Sequence, residues 1–171
     1  LAFLDVDDYW DLTKLGKQIL VFSKNPEVAI VYSPFSFKNE IQNTYKEFNK
    51  KKLPEGMIVD KLLRNNFMGL LTVLLNRGII DGQREIFDSR LHIIGDYDMA
   101  IKISAKSKVA CIQQALATYR WHGGNESILH KELNIEELER WSIEMSAEPV
   151  ISDNKGFEIF LTDIVYMKAM L

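Results

Sequence analysis

The stretch LAFLDVDDYW (residues 1–10) decides how the chain is read, because an unbroken apolar run passes straight into Asp5, Asp7 and Asp8. A short continuous apolar run followed by charge reads as a strand covered on both faces that ends in a polar loop. Side chains alternate along an extended segment, so Asp5 and Asp7 are expected to point the same way. Carboxylates this close repel one another, and such repulsion is tolerated where a cation or a cationic partner shares the site. Hard oxygen ligands suit Mg²⁺ or Mn²⁺, which bind through one or two carboxylates plus substrate phosphates. A second reading stays open, in which Asp7, Asp8 or Asp11 caps the helix that follows. A cap needs one aspartate, though, and not three. A strand this apolar at the first residues implies that the sequence starts inside a domain, with further strands and helices upstream of Leu1.

Working outward, DLTKLGKQILVFSKN (11–25) places Leu12, Leu15, Ile19 and Phe22 on one helical face, with Lys14, Lys17 and Gln18 largely elsewhere. Asn25-Pro26 ends that helix, and EVAIVYS (27–33) is a strand. From Phe35 to Gly56 the composition turns polar and irregular, which predicts an excursion loop with some helix. MIVDKLLRNNFM (57–68) reads as a short helix and GLLTVLLNRGII (69–80) as a strand entering a turn. GDYDMAIKISAKS (95–107) is a helix with Asp96 and Asp98 at its start. KVACI (108–112) and ALATYRWH (115–122) are strands, and amphipathic helices follow at 130–148 and 154–171. The succession of strands and helices predicts an α/β domain over 1–127 and a helical C-terminal extension over 128–171.

With 171 residues, 47% of them hydrophobic, the chain can bury a core for one globular domain. Its net charge of −3 and the lack of basic runs interleaved with aromatics argue against a nucleic-acid partner. Lys50 to Lys52 form the one dense cationic patch and read as a solvated loop. The single cysteine, Cys111, excludes an internal disulfide framework and fits a reducing, cytoplasmic setting. In the run VACI it reads as a small buried hydrophobe. No apolar run approaches the roughly 20 residues that span a bilayer, and no signal peptide is visible. Membrane contact is therefore expected, if at all, as peripheral association.

Two further patches carry chemistry. Asp96 follows Gly95 at a helix start, where a carboxylate either caps or catalyses. In YRWHGGNES (119–127), Arg120, His122, Asn125 and Ser127 converge on a turn hinged by Gly123 and Gly124. A histidine leaving a strand into such a loop can ligate a metal or contact a phosphate, or hold the loop in place. Arg120 can clamp an anion or pair with a surface carboxylate. Lys102 is set to pair with Asp98 at i, i+4. His92 and His130 have no constellation around them and read as surface residues.

Taken in order, FLDVDDYWDLTKLGKQILVFSKNPEVAIVYS, HIIGDYDMAIKI and LATYRWHGGNES resemble the family 2 glycosyltransferases of the GT-A fold. The resemblance runs from Leu1 to Ser127, about three quarters of the chain. It implies a Rossmann-like mixed sheet flanked by helices and a nucleotide-binding half upstream of Leu1. It also implies a nucleotide-sugar donor, a saccharide or lipid-linked acceptor hydroxyl, and Mn²⁺ or Mg²⁺ as cofactor. By position, Asp5 and Asp7 would be the D-x-D pair at the metal and donor diphosphate, with Asp8 behind them and His122 near both. Asp96 would be the general base, in a place where the family usually carries a Glu-Asp pair and this chain has Gly95-Asp96. Trp10 and Arg120 would pack the motif loop or touch substrate. The family context implies polysaccharide biosynthesis at the inner face of a membrane.

Rival readings remain. FLDVDD also matches the opening of haloacid-dehalogenase-type phosphatases, with Asp5 as nucleophile and Asp7 as general acid. That reading puts Tyr9 where a small residue is usual and leaves YRWHGGNES unexplained. An EF-hand over 5–16 fails, since Trp10 stands where Gly is needed and Gly16 where a bidentate Glu is needed. A non-catalytic interaction fragment is the third possibility, with the helices after Ser127 as its contact surface.

Overall fold

A computed structural model describes residues 1–47, 52–80, 85–125 and 129–171. In chain order, β1 (Tyr9–Trp10) leads to α1 (Lys14–Lys24), β2 (Val28–Tyr32), β3 (Ser36–Asn39) and β4 (Thr44–Glu47). Then come α2 (Val59–Arg64), a 3₁₀ turn at Leu70–Thr72, β5 (Leu74–Leu75), α3 (Arg77–Ile80) and α4 (Gly95–Ser104). The described chain continues with β6 (Lys108–Cys111), β7 (Ala117–Trp121), α5 (Lys131–Met145), α6 (Pro149–Ser152) and α7 (Lys155–Ala169).

β2 is apolar and buried at every position, as befits a strand covered on both faces. It pairs parallel with β6 and antiparallel with β5. A second mixed sheet runs in the order β1-β7-β3-β4, with β7 and β3 parallel and both outer pairs antiparallel. Helices flank these sheets, so the architecture is α/β with a Rossmann-like layering. The core centres on Ile30, Tyr32, Ile58, Leu62, Met99 and Ile101, and the late helices add Trp141, Phe157 and Phe160 to the same cluster. Tyr97 stacks on Phe160 at 5.8 Å, and Trp141 meets Phe160 edge-on at 5.2 Å. α7 crosses α2 closely: the Gly156 N–H donates to Asp60 Oδ1 at 2.7 Å. No helix among the described residues is long and apolar enough to cross a membrane.

Several expectations are corrected here. Residues 1–8 form no buried strand. Ala2 makes a single antiparallel bridge to Leu74, while Leu1, Leu4 and Val6 are exposed. The Asp8 N–H then donates to Asp5 O at 3.1 Å and closes a turn over Val6 and Asp7, so Asp5 and Asp7 do not alternate as on a strand. The helix α1 is inverted relative to its pattern. Lys14 and Gln18 are fully buried, whereas Leu12, Leu15 and Ile19 face outward.

The inversion has a hydrogen-bonding cause. Gln18 Nε2 donates to Val31 O and Thr72 O, stitching α1 to β2 and to the 3₁₀ turn, and its Oε1 accepts from Lys14 Nζ. That ammonium lies 4.3 Å from the centre of the Trp10 ring. A polar stripe thus satisfies carbonyls that an apolar face would strand.

Within the expected excursion loop, residues 36–47 instead form the β3–β4 hairpin. Asn39 Oδ1 accepts from the N–H groups of Ile41 and Gln42, and Asn43 takes φ +49°. The strand expected at 69–80 shrinks to Leu74–Leu75 between two helical turns. Lys102 does pair with Asp98, at 2.7 Å. Cys111 is partly buried against the core. Of the cationic patch, Lys50 and Lys51 lie outside the described residues, as does Ser127 of the late motif.

Candidate active site

β1 pairs with β7 in the register Tyr9↔Thr118 and Trp10↔Ala117, which brings the start of the chain against the loop that follows β7. The early aspartates and the late histidine motif therefore share one wall. They open on a cavity of about 760 Å³ lined by Asp5, Asp7, Asp8, Asp96 and Asn125, with Phe87 and Leu91 on an apolar side. Three distant blocks of sequence meet there.

Asp7 Oδ2 lies 2.7 Å from His122 Nε2. The Gly124 N–H donates to His122 Nδ1 at 3.3 Å, so the ring proton sits on Nε2 and is given to Asp7. Gly123 supports this turn with φ +81°, a conformation in which a side chain would be strained. Hydrogen bonding from His122, opposed by slight burial, holds the Asp7 carboxyl below the usual carboxylate range.

Asp8 is buried and accepts the Arg120 backbone N–H at 2.9 Å. Burial raises its pKa to about 6; the Arg120 N–H opposes the rise, and the charges of Asp7 and Asp5 add to it. Asp8 and Asp7 are therefore not helix caps. Asp11 performs the turn into α1, accepting the Thr13 N–H at 2.8 Å.

Arg120 has little freedom to clamp a ligand. Its Nε donates to Glu40 Oε1 at 2.7 Å and its Nη1 to Asp7 O at 3.0 Å, while the guanidinium sits 5.1 Å from the Tyr9 ring centre. Trp10 donates Nε1–H to Leu71 O at 2.7 Å and packs the motif segment onto α1. Asn125 holds the late turn, accepting from His122 N and donating to Arg120 O.

Asp96 stands in the first turn of α4 and lines the cavity. It makes no bond that caps the helix, and its Oδ1 accepts the adjacent Tyr97 N–H at 2.7 Å. Burial raises its pKa above the ordinary carboxylate value, and the Asp5 charge adds to the rise. Asp98, by contrast, is fully buried between Lys102 and the Trp141 indole.

Among the described residues, no three His, Cys, Asp or Glu side chains gather closely enough to hold a metal ion. The fit to Mn²⁺ or Mg²⁺ rests on a pair. Adjacent ligands of an octahedral ion at about 2.1 Å sit roughly 3 Å apart, close to the 2.7 Å between Asp7 Oδ2 and His122 Nε2. Ligation through Nε2 would move the ring proton to Nδ1 and give up the Gly124 bond. The two side chains would supply two of such an ion's ligands.

His92, read from the sequence as a bystander, lines the cavity, as do Phe87 and Leu91. Their apolar character reads locally as core, and no sequence pattern separates a cavity wall from it. Tyr119 was visible only as part of the late motif, yet it lines the cavity too.

No protein-family model matches the chain. Over 81 residues it is 36% identical to the UDP-Glc:alpha-D-GlcNAc-diphosphoundecaprenol beta-1,3-glucosyltransferase WfgD of Escherichia coli, covering 47% of this chain and 30% of that protein. The chain is similar to a glycosyltransferase. Over 124 residues it is 27% identical to the uncharacterized proteins Mb1547 of Mycobacterium bovis and Rv1520 of Mycobacterium tuberculosis, covering 71% of this chain and 34% of each. The matched segments span about a third of the length of these relatives.

Proposed function

We propose that the protein is an inverting glycosyltransferase of family 2 with a GT-A fold, moving a sugar from a nucleotide-sugar to an acceptor hydroxyl. The observation that carries this reading is the meeting of Asp5, Asp7 and Asp8 with Asp96 in one cavity, with His122 at Asp7. Similarity to the Escherichia coli glucosyltransferase supports it. That relative's name gives UDP-Glc as donor and a GlcNAc-diphosphoundecaprenol as acceptor, so a UDP-sugar and a lipid-diphosphate-linked saccharide are the substrates we put first.

In this account Asp96 takes the proton from the acceptor hydroxyl as its oxygen attacks the anomeric carbon. The bond from that carbon to the diphosphate oxygen breaks on the opposite face, and configuration inverts. Burial that raises the Asp96 pKa makes it a stronger base than a solvated aspartate. Mn²⁺ or Mg²⁺ held through Asp7 and His122, with Asp5 nearby, would offset the negative charge that develops on the departing diphosphate. Asp8 and Arg120 act on the site by holding β7 against the aspartate turn. Trp10 holds the other side of that turn. Nothing in the fold or the similarities favours the phosphatase alternative.

The test uses the full-length protein, a panel of UDP- and GDP-sugars with lipid-diphosphate saccharides, and assays with and without Mn²⁺. Nucleoside diphosphate and inorganic phosphate are quantified separately. Mn²⁺-dependent nucleoside diphosphate release that is lost in Asp7→Asn is the expected result. Inorganic phosphate released from simple phosphate esters would overturn the proposal.

A further inference from the structure

The segment that carries Asp96 is held from one side by α5. Residues 137, 140, 141 and 144 recur at the spacing of a single helical face, and each makes a bond to the stretch 88–98. Glu137 is buried, 1% exposed, and its carboxylate accepts three consecutive backbone N–H groups: His92 at 2.7 Å, Ile93 at 2.9 Å and Ile94 at 3.2 Å. Arg140 Nη2 donates to Arg90 O at 3.0 Å, and Trp141 Nε1 donates to Asp98 Oδ1 at 2.7 Å. Glu144 pairs with the Arg90 guanidinium at 3.0 Å.

These bonds differ in what they fix. Trp141 and Asp98 join two helices inside the core. Glu137 instead collects the backbone of the loop that ends at Ile94, where α4 begins without a side-chain cap. Successive N–H groups pointing at one carboxylate make an anion nest. Burial alone would raise the Glu137 pKa, but the three N–H donors outweigh it and keep the carboxyl ionised. Remove the charge, and three donors in a largely dry setting lose their acceptor and must turn to find another. Asp96 is two residues further on.

We propose that Glu137 is a positioning residue for Asp96, fixing the His92–Ile94 backbone so that the Asp96 carboxylate is presented to the cavity. The proposal rests on the reading of Asp96 as general base. Glu137 touches no substrate in this account. Its effect passes through the backbone, and misplacement of a base by about 1 Å is enough to cost on the order of 100-fold in rate.

The experiment compares Glu137→Gln, Glu137→Asp and Trp141→Phe in the full-length protein. Steady-state transfer is measured alongside thermal melting and NMR titration of the Asp96 carboxyl, which feels Asp5 and the Tyr97 N–H as well as its backbone placement. For Glu137→Gln we expect kcat to fall about 10- to 100-fold, donor KM to stay within about twofold and the Asp96 titration to move. Trp141→Phe is expected to lower the melting temperature while leaving kcat and the titration in place. Should Glu137→Gln fail to fold, Glu137→Asp keeps the charge but withdraws it by one methylene, and the same displacement of the Asp96 titration is expected. An unmoved titration with kcat at the wild-type value overturns the proposal. So does a kcat loss matched by lost donor affinity and an unmoved titration, which would mark Glu137 as merely structural. The titration needs no substrate. A moved titration in a protein that transfers no sugar would keep Glu137 as positioner and remove the transferase reading instead.

Discussion

His122 Nε2 and Asp7 Oδ2 stand 2.7 Å apart although 115 residues separate them in the chain. The contact is the main reason the Asp7 carboxyl sits low. Replacing His122 with Ala should return the Asp7 titration toward the ordinary carboxylate value, as read by NMR. It should also weaken Mn²⁺ binding about 10- to 100-fold. Unchanged Mn²⁺ affinity would leave the pair as a loop fastener alone.

Asp96 is the residue on which turnover should depend most steeply. Asp96→Asn removes the base without altering the size of the side chain, so kcat should fall about 10²- to 10⁴-fold while donor binding persists. Because its pKa is raised, the acid limb of the kcat/KM profile should lie above the pH of a solvated aspartate. An unaltered kcat in the folded variant would remove Asp96 from the chemistry.

Asp8 burdens the fold at neutral pH. Its carboxyl titrates near 6 in the folded protein against 3.8 unfolded, so the folded state holds the proton more tightly and stability falls as pH rises through that window. The cost above pH 6 is about 3 kcal/mol. Asp8→Asn keeps the acceptor for the Arg120 N–H. It should melt higher than wild type at pH 7, by roughly 6–12 °C, with the gap closing toward pH 4. A gap that does not depend on pH would contradict the assignment.

Lys14 behaves in the opposite sense. Burial lowers its pKa from 10.5 to about 8, so the unfolded chain binds the proton more tightly and stability rises with pH between those values. Lys14→Met removes the buried ammonium but strands Gln18 Oε1. It should therefore stabilise by roughly 1 kcal/mol at pH 7 and lose that advantage above pH 10. Chemical denaturation at pH 7, 9 and 10.5 reads this directly; parallel curves for the two proteins would refute it.

Gly156 marks where α7 meets α2 without room for a side chain. A Cβ there would fall 2.2 Å from Asp60 O, against backbone that cannot give way. Gly156→Ala should destabilise by about 1–3 kcal/mol or more, measured by denaturant unfolding. A neutral substitution would mean the helices are not in this contact.

The elements with clear periodicity were legible in the sequence. β2, β6, β7 and the helices α4, α5 and α7 fall where apolar alternation and helical spacing put them. What escaped was set by distant partners. The buried face of α1 is decided by carbonyls of Val31 and Thr72, so Lys14 and Gln18 turn inward against their own polarity. The β3–β4 hairpin turns on Asn39 and Asn43, in a segment whose polarity hides its alternation. At the candidate site, the three acidic and histidine blocks were visible as motifs and do converge. The turn that replaces the strand at Asp5–Asp8 was not visible, nor was the cavity wall from Phe87 to Ile93, nor the reach of Glu137 from α5. Each depends on contacts that no local pattern encodes.

The most direct measurement of the central claim is the anomeric configuration of the product formed by the full-length protein from an α-linked UDP-sugar and a lipid-diphosphate saccharide. It would be read by NMR on the newly formed glycosidic bond, with Asp96→Asn run in parallel. A β linkage that appears only when Asp96 is present is the predicted result. An α linkage, or sugar release with no new glycosidic bond, would contradict it.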